Sequence, residues 1–115
     1  MALHEIKKSC KIVNELLLYL MKKGHHQVEL KINYSDNNTV FEFIIAECSS
    51  TIISHLAENL NKGRKYEFEG YYWELMGESD SANELEIIGL LVDGIEIVEK
   101  DDKTYLIVTR SHIDN

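Results

Sequence analysis

The residues able to do chemistry are few in this chain, and their spacing limits what each can do. His25 and His26 are neighbours, so on an extended strand they point to opposite faces and do not converge on one metal ion. Neither has a partner at helical ligand spacing, and His55 and His112 are isolated, so surface or strand-start histidines are the plainer reading. Cys10 and Cys48 each sit inside an apolar pattern. They read as buried, reduced thiols rather than a disulfide. No Cys-x-x-Cys, Gly-x-Ser-x-Gly, phosphate loop or His-Glu-x-x-His occurs. Tyr71-Tyr72-Trp73 is the densest aromatic cluster and contains the only tryptophan. Such residues anchor interfaces because they bury large areas at low entropic loss. Covering one end of the core is the alternative, and the one favoured by the usual burial of aromatics.

The elements that must position these residues follow from periodicity. Ile6, Cys10, Val13, Leu17 and Leu20 recur at steps of three and four, which predicts one face of a helix over about His4 to Lys23. Leu16 and Leu18 widen that face, and Gly24 is placed to cap the end in a left-handed conformation. Val28, Leu30, Ile32 and Tyr34 alternate with polar residues, and Val40 to Ala46 is β-branched and aromatic. With turn chemistry at Ser35-Asp36-Asn37-Asn38, the two runs predict a hairpin. Ser49 or Ser50 caps a second helix with Ile53, Leu56 and Leu60 on one face, ended by Gly63. Residues 64–79 are ambiguous: Tyr66 and Phe68 alternate with glutamates as in an extended segment, and residues 71–76 fit a helical turn or two. Ser81-Ala82-Asn83-Glu84 reads as a capping box. A third helix with Leu85, Ile88, Leu91 and Val92 follows, stopped at Gly94. Gly89 lies inside it, at about 1 kcal/mol below alanine in helix propensity, so close packing on the sheet is expected there. Ile95–Glu99 and Tyr105–Thr109 form a second hairpin around residues 100–103.

The sum is an α+β two-layer sandwich. About three helices lie on one face of a mixed or antiparallel sheet of about four to five strands. At 115 residues the chain is expected to be a single domain, residues 1–115. No segment approaches the roughly 20 apolar residues of a membrane span, so no membrane partner is expected. The first residues lack the apolar run of a signal peptide, and a cytoplasmic location is expected. The net charge of −8 argues against nucleic acid, which requires a basic face. Residues 66–102 hold twelve of the twenty acidic residues and one basic residue, Lys100. That acidic stretch could steer a basic partner, although a solvated surface is the simpler account.

A set of weak motifs adds to this reading. Glu15-Leu16 precedes Tyr19, Lys22 and Gly24 on the first helix. Ala46-Glu47-Cys48-Ser49-Ser50 follows the second strand, and Asn83-Glu84-Leu85-Glu86-Ile87-Ile88-Gly89-Leu90 opens the later helix. In element order and in these positions, roughly Ile12 to Arg110 resembles the Bergerat-fold ATPase domain. That domain is shared by histidine kinases, anti-sigma-factor kinases, gyrase B and MutL. The resemblance implies a histidine-kinase-like fold, with Glu15 at the position of a general base. It also implies that Tyr19 stands where the family has its magnesium-binding asparagine. A phenol is a poor magnesium ligand, because Mg²⁺ prefers carboxylate, carbonyl and water oxygens. Glu47 falls where the family's adenine-reading aspartate belongs, but neither glycine of that motif is present. Two glutamates occupy the later helix start, where bare amides would favour phosphate and like charge opposes it. The glycine-rich ATP lid is replaced by Tyr71-Tyr72-Trp73.

The expectation is a non-catalytic regulatory or protein-interaction module on a degenerate ATPase fold, with no cofactor or metal. Its partner would be a protein or a second copy. Glu15 is a vestigial catalytic candidate, and Tyr19, Glu47, Tyr71, Tyr72 and Trp73 are cleft or binding candidates. A divergent ATPase or anti-sigma-type kinase binding Mg-ATP is the alternative. A small-molecule sensor using the former nucleotide cleft, lined by Tyr19 and Trp73, is another.

Overall fold

The computed structural model describes residues 3–70 and 84–112. Helix α1 (Leu3–Lys22) leads into a hairpin of β1 (Val28–Tyr34) and β2 (Asn38–Ala46). Helix α2 (Ser50–Leu60) and a 3₁₀ turn at Tyr66–Phe68 follow. Helix α3 (Glu84–Gly89) then precedes the hairpin of β3 (Gly94–Lys100) and β4 (Lys103–Ser111). The hairpins join through β2 and β4 into a four-stranded sheet of order β1-β2-β4-β3, antiparallel at every pairing. This is the expected two-layer α+β arrangement, with no mixed pairing among the described strands.

One face of the sheet carries the core. Phe41, Phe43 and Ile45 of β2 and Leu106 and Val108 of β4 are fully buried. They pack in one cluster with Ile12, Leu16 and Leu20 of α1, Ile52, Leu56 and Leu60 of α2, and Leu85 and Ile88 of α3. Each such side chain contributes about 1.5–3 kcal/mol by leaving water, which explains why helices too short to persist alone are held here. The opposite face presents Val40, Glu42, Ile44, Tyr105 and Ile107 by strand alternation, and that face is outside the helix-packed cluster.

Local signals set the joints. Gly24, at φ +94°, ends α1: its amide donates to Met21 O at 3.0 Å and the His25 amide donates to Leu20 O at 3.0 Å. That pair of bonds is a Schellman cap, which needs a left-handed residue where glycine sits. The Ser49 hydroxyl accepts from the Ile52 amide and caps α2. Asp101 and Asp102 both take positive φ, which gives the β3–β4 turn the twist that antiparallel strands require.

Several expectations are corrected. The buried face of α1 is Glu5, Ser9, Ile12, Glu15, Leu16 and Leu20, rotated from the one expected through Ile6, Cys10, Val13 and Leu17. Cys10 is exposed, Cys48 is half-buried and Leu18 is 42 % exposed. The rotation has a cause: Glu5 must turn inward to meet a buried arginine. Helix α2 ends at Leu60 with Asn61 as its cap, before Gly63. Residues 66–68 form a 3₁₀ turn rather than an extended segment. Helix α3 stops at Gly89, five residues before Gly94. Gly89 does mark a close approach, but to α2 rather than to the sheet: an added Cβ would meet Asn59 O and lie 3.0 Å from Leu60 Cα. His25 and His26 lie in the loop before β1, not on a strand. The capping box at residue 81 and the cluster Tyr71-Tyr72-Trp73 lie outside the described residues.

Candidate functional site

At one end of the sheet, where β2 and β3 finish and β4 begins, the chain gathers the residues singled out from the sequence. Tyr19 sits on the last turns of α1, half-buried, with Lys23 Nζ 5.8 Å from its ring centre. Its hydroxyl is enclosed and has no hydrogen-bond partner among the described residues. Burial, and behind it the neighbouring Cys48, raise the Tyr19 pKa. Burial also raises the Cys48 pKa, against a hydrogen bond from Thr104 and with a further push from Glu99. Both groups are therefore neutral near pH 7, so this thiol is not an activated nucleophile and this phenol is not a metal-binding phenolate.

Glu47 is exposed and takes φ +51°, and its amide donates to Asp102 O at 3.2 Å. This bond ties the end of β2 to the β3–β4 turn. The result is an open cleft of about 580 Å³ lined by Glu47, Cys48, Glu99, Asp101, Asp102 and Thr104, with Lys100 and Lys103. Four carboxylates against two amines leave the cleft negative. Glu47 also borders a second depression, beside Gly24, His25 and His26. Among the described residues no group of three or more His, Cys, Asp and Glu is placed to hold a metal ion. Glu15 is buried on α1 at 6 % exposure, away from the solvent-facing position expected of an ordinary helix glutamate.

The opposite end holds a charge network that sequence reasoning missed. Arg110 is fully buried in phase with Leu106 and Val108 on the core face of β4. Its Nε and Nη2 donate to the two oxygens of Glu5 at 3.2 and 3.0 Å, and Nη1 donates to Leu91 O at 2.6 Å. Nη2 also lies 2.6 Å from Glu69 Oε1. The Arg64 side chain, 4 % exposed, binds the same Glu69 oxygen at 3.2 Å, Asp93 Oδ2 at 2.9 Å and Ser111 O at 2.8 Å. Tyr66 stacks against Arg64 and donates to Asp93 at 3.0 Å. Two guanidiniums and three carboxylates thus fasten α1, the 64–69 segment, the turn before β3 and the end of β4. Arginine suits the place because its fork satisfies several acceptors at once. The signal was present in the sequence: these are the chain's only arginines, and Arg110 continues a core-facing alternation.

This network makes stability depend on acid. Burial works against the Glu5 carboxylate, but the hydrogen bond and charge of Arg110 prevail and hold its pKa below the usual value. At Asp93 burial is likewise outweighed, by the Ser111 amide and by Arg64. Both carboxyls thus titrate lower in the folded chain than in the unfolded one. Their contribution is fully present above the unfolded-state carboxylate values, near 4, and is lost as pH falls from there through the lower folded-state values. Thermal melts from pH 7 to pH 3 are expected to show Tm falling steeply below about pH 4.5. A Tm that stays level across that range would count against the network.

Of the six candidate residues, the fold brings Tyr19 and Glu47 to the same end of the sheet, buries Glu15 within α1, and leaves Tyr71, Tyr72 and Trp73 outside the described residues. No described helix is long and apolar enough to cross a membrane. No protein-family model matches the chain, and neither a curated protein nor a solved structure is found to match it.

Proposed function

We propose that this chain is a non-catalytic regulatory or protein-interaction module, built on a scaffold related to the histidine-kinase-like ATPases but without nucleotide binding. The observation that carries the reading is the use to which the would-be nucleotide residues are put. Tyr19, in the place of a magnesium ligand, is turned into the protein with its hydroxyl enclosed and neutral. Gly89, the one glycine left in the stretch that resembles a phosphate-binding motif, is consumed by contact with the α2 backbone. The open cleft beside Glu47 is lined by carboxylates, which repel a polyphosphate. Each of these favours packing or repulsion over nucleotide capture. Binding of a protein partner falls to surfaces that the helices leave open.

Calorimetry with MgATP and MgADP, run beside Trp73 fluorescence, tests the reading. We expect no heat of binding and no quenching up to millimolar nucleotide. Saturable binding in the micromolar range would overturn it in favour of a divergent ATPase, and loss of phosphate transfer in Glu15→Ala would then identify the base.

A further inference from the structure

We infer that the outer edge of β1 pairs antiparallel with β1 of a second copy of this chain, with Leu30 opposite Leu30. The inference deepens the interaction-module reading by naming a partner, and rests on that reading only for its purpose.

Strand β1 lies at the end of the order β1-β2-β4-β3, bonded to β2 along one flank, and no described strand pairs with its other flank. Beside the turn, the Ser35 amide donates to Asn38 O at 2.9 Å. Antiparallel ladders alternate, so Asn33, Lys31 and Glu29 direct their backbone groups to β2. Val28, Leu30, Ile32 and Tyr34 then direct theirs outward. The same four residues place their side chains on the helix side, in register with Ile45, Phe43, Phe41 and Thr39. Ile32 and Tyr34 nonetheless remain 48 % and 39 % exposed. An apolar row with unused amides is the form of a strand prepared for another strand.

The charges choose the occupant and the register. With Leu30 on the two-fold axis, the outward amides pair Val28 with Ile32, Leu30 with Leu30 and Ile32 with Val28. On the open face, Glu29 then stands opposite Lys31 of the second copy, and Lys31 opposite its Glu29. Opposite charges directly across a ladder attract, and like charges there repel. Moving the axis by one residue in either direction sets Glu29 against Glu29 or Lys31 against Lys31. Only one of these three neighbouring registers is favourable, and it also covers Ile32. Present contacts leave both residues free to respond, since Lys31 meets Glu42 at 3.8 Å and Glu29 meets Lys103 at 4.0 Å, each in water. The other edge, β3, has the outward row Ile95, Ile97 and Glu99, which a charge interrupts. Pairing about Ile97 would set Ile95 against Glu99, and pairing about Val98, which matches Glu96 with Lys100, would set Ile97 against Glu99.

Analytical ultracentrifugation of the full chain, without nucleotide and from micromolar to near-millimolar concentration, tests the proposal. The expected mass at high concentration is twice 13.3 kDa. Ile32→Pro removes an outward amide that no described strand uses, so it is expected to give a monomer with an unchanged circular-dichroism spectrum. Glu29→Lys is expected to weaken the dimer by about tenfold or more, because the introduced ammonium would face Lys31 of the second copy. Adding Lys31→Glu to it restores the dimer with the signs exchanged. A wild-type chain that stays monomeric throughout overturns the proposal. So does a dimer untouched by both Ile32→Pro and Glu29→Lys, which would place the contact elsewhere. Nucleotide binding, if found, would sink the nucleotide-free reading and leave this result standing.

Discussion

Arg110→Leu is expected to lower the unfolding free energy by about 3–5 kcal/mol, the usual result of removing one partner from a buried ion pair. The side chain has no exposure, and its loss strands Glu5 and Glu69 in the protein with one guanidinium, Arg64, left to serve Glu69 and Asp93. Leu91 O also loses its donor. A domain of this size has about 5–15 kcal/mol of stability in total, so the variant is expected to lose a large share of it. Arg110→Lys is expected to recover little. One ammonium cannot span both Glu5 oxygens, Glu69 and a carbonyl, which the planar fork reaches from a single position. Urea denaturation at pH 7 reads the effect. A loss below about 1 kcal/mol would mean that water reaches these carboxylates and that the network behaves as a surface pair.

The same network explains what the sequence conceals. The hairpins are legible because alternation and turn chemistry are local: Val28 to Tyr34 and Tyr105 to Thr109 need no distant residue to declare themselves. The Gly24 cap is legible for the same reason. The buried face of α1 is not, because apolar counting sets Cys10 and Ile6 inside and leaves Glu5, Ser9 and Glu15 out. A partner 105 positions away reverses that choice. Tyr66-Glu67-Phe68-Glu69 fails similarly. Its alternation suggests an extended run, whereas Glu69 is held by two arginines in a tight turn. Of the candidate site, the shared placement of Tyr19 and Glu47 is set by how α1 packs over the end of the sheet, which no local signal announces. Composition alone brings neither to the other.

Gly89 was legible as a close approach, though not its partner, and it carries the second large expectation. Gly89→Ala normally strengthens a helix by about 1 kcal/mol. Here it is expected to destabilise by about 2–3 kcal/mol, the usual cost of overpacking a core. The new methyl would meet Asn59 O and Leu60 Cα, which are backbone atoms that no rotamer change can move. Relief requires α2 and α3 to separate, and that would loosen Leu60 and Ile88, both within 1 % of full burial. Shortening the neighbouring side chain does not help, so Asn59→Ala combined with Gly89→Ala is expected to be no more stable than Gly89→Ala alone. Chemical denaturation of the two variants separates backbone crowding from side-chain crowding. Recovery in the double variant would assign the clash to the Asn59 side chain. A Gly89→Ala chain as stable as its parent would mean that the two helices stand farther apart than the structure places them. The glycine would then have remained free to serve a ligand, and the case against nucleotide binding would lose one of its supports.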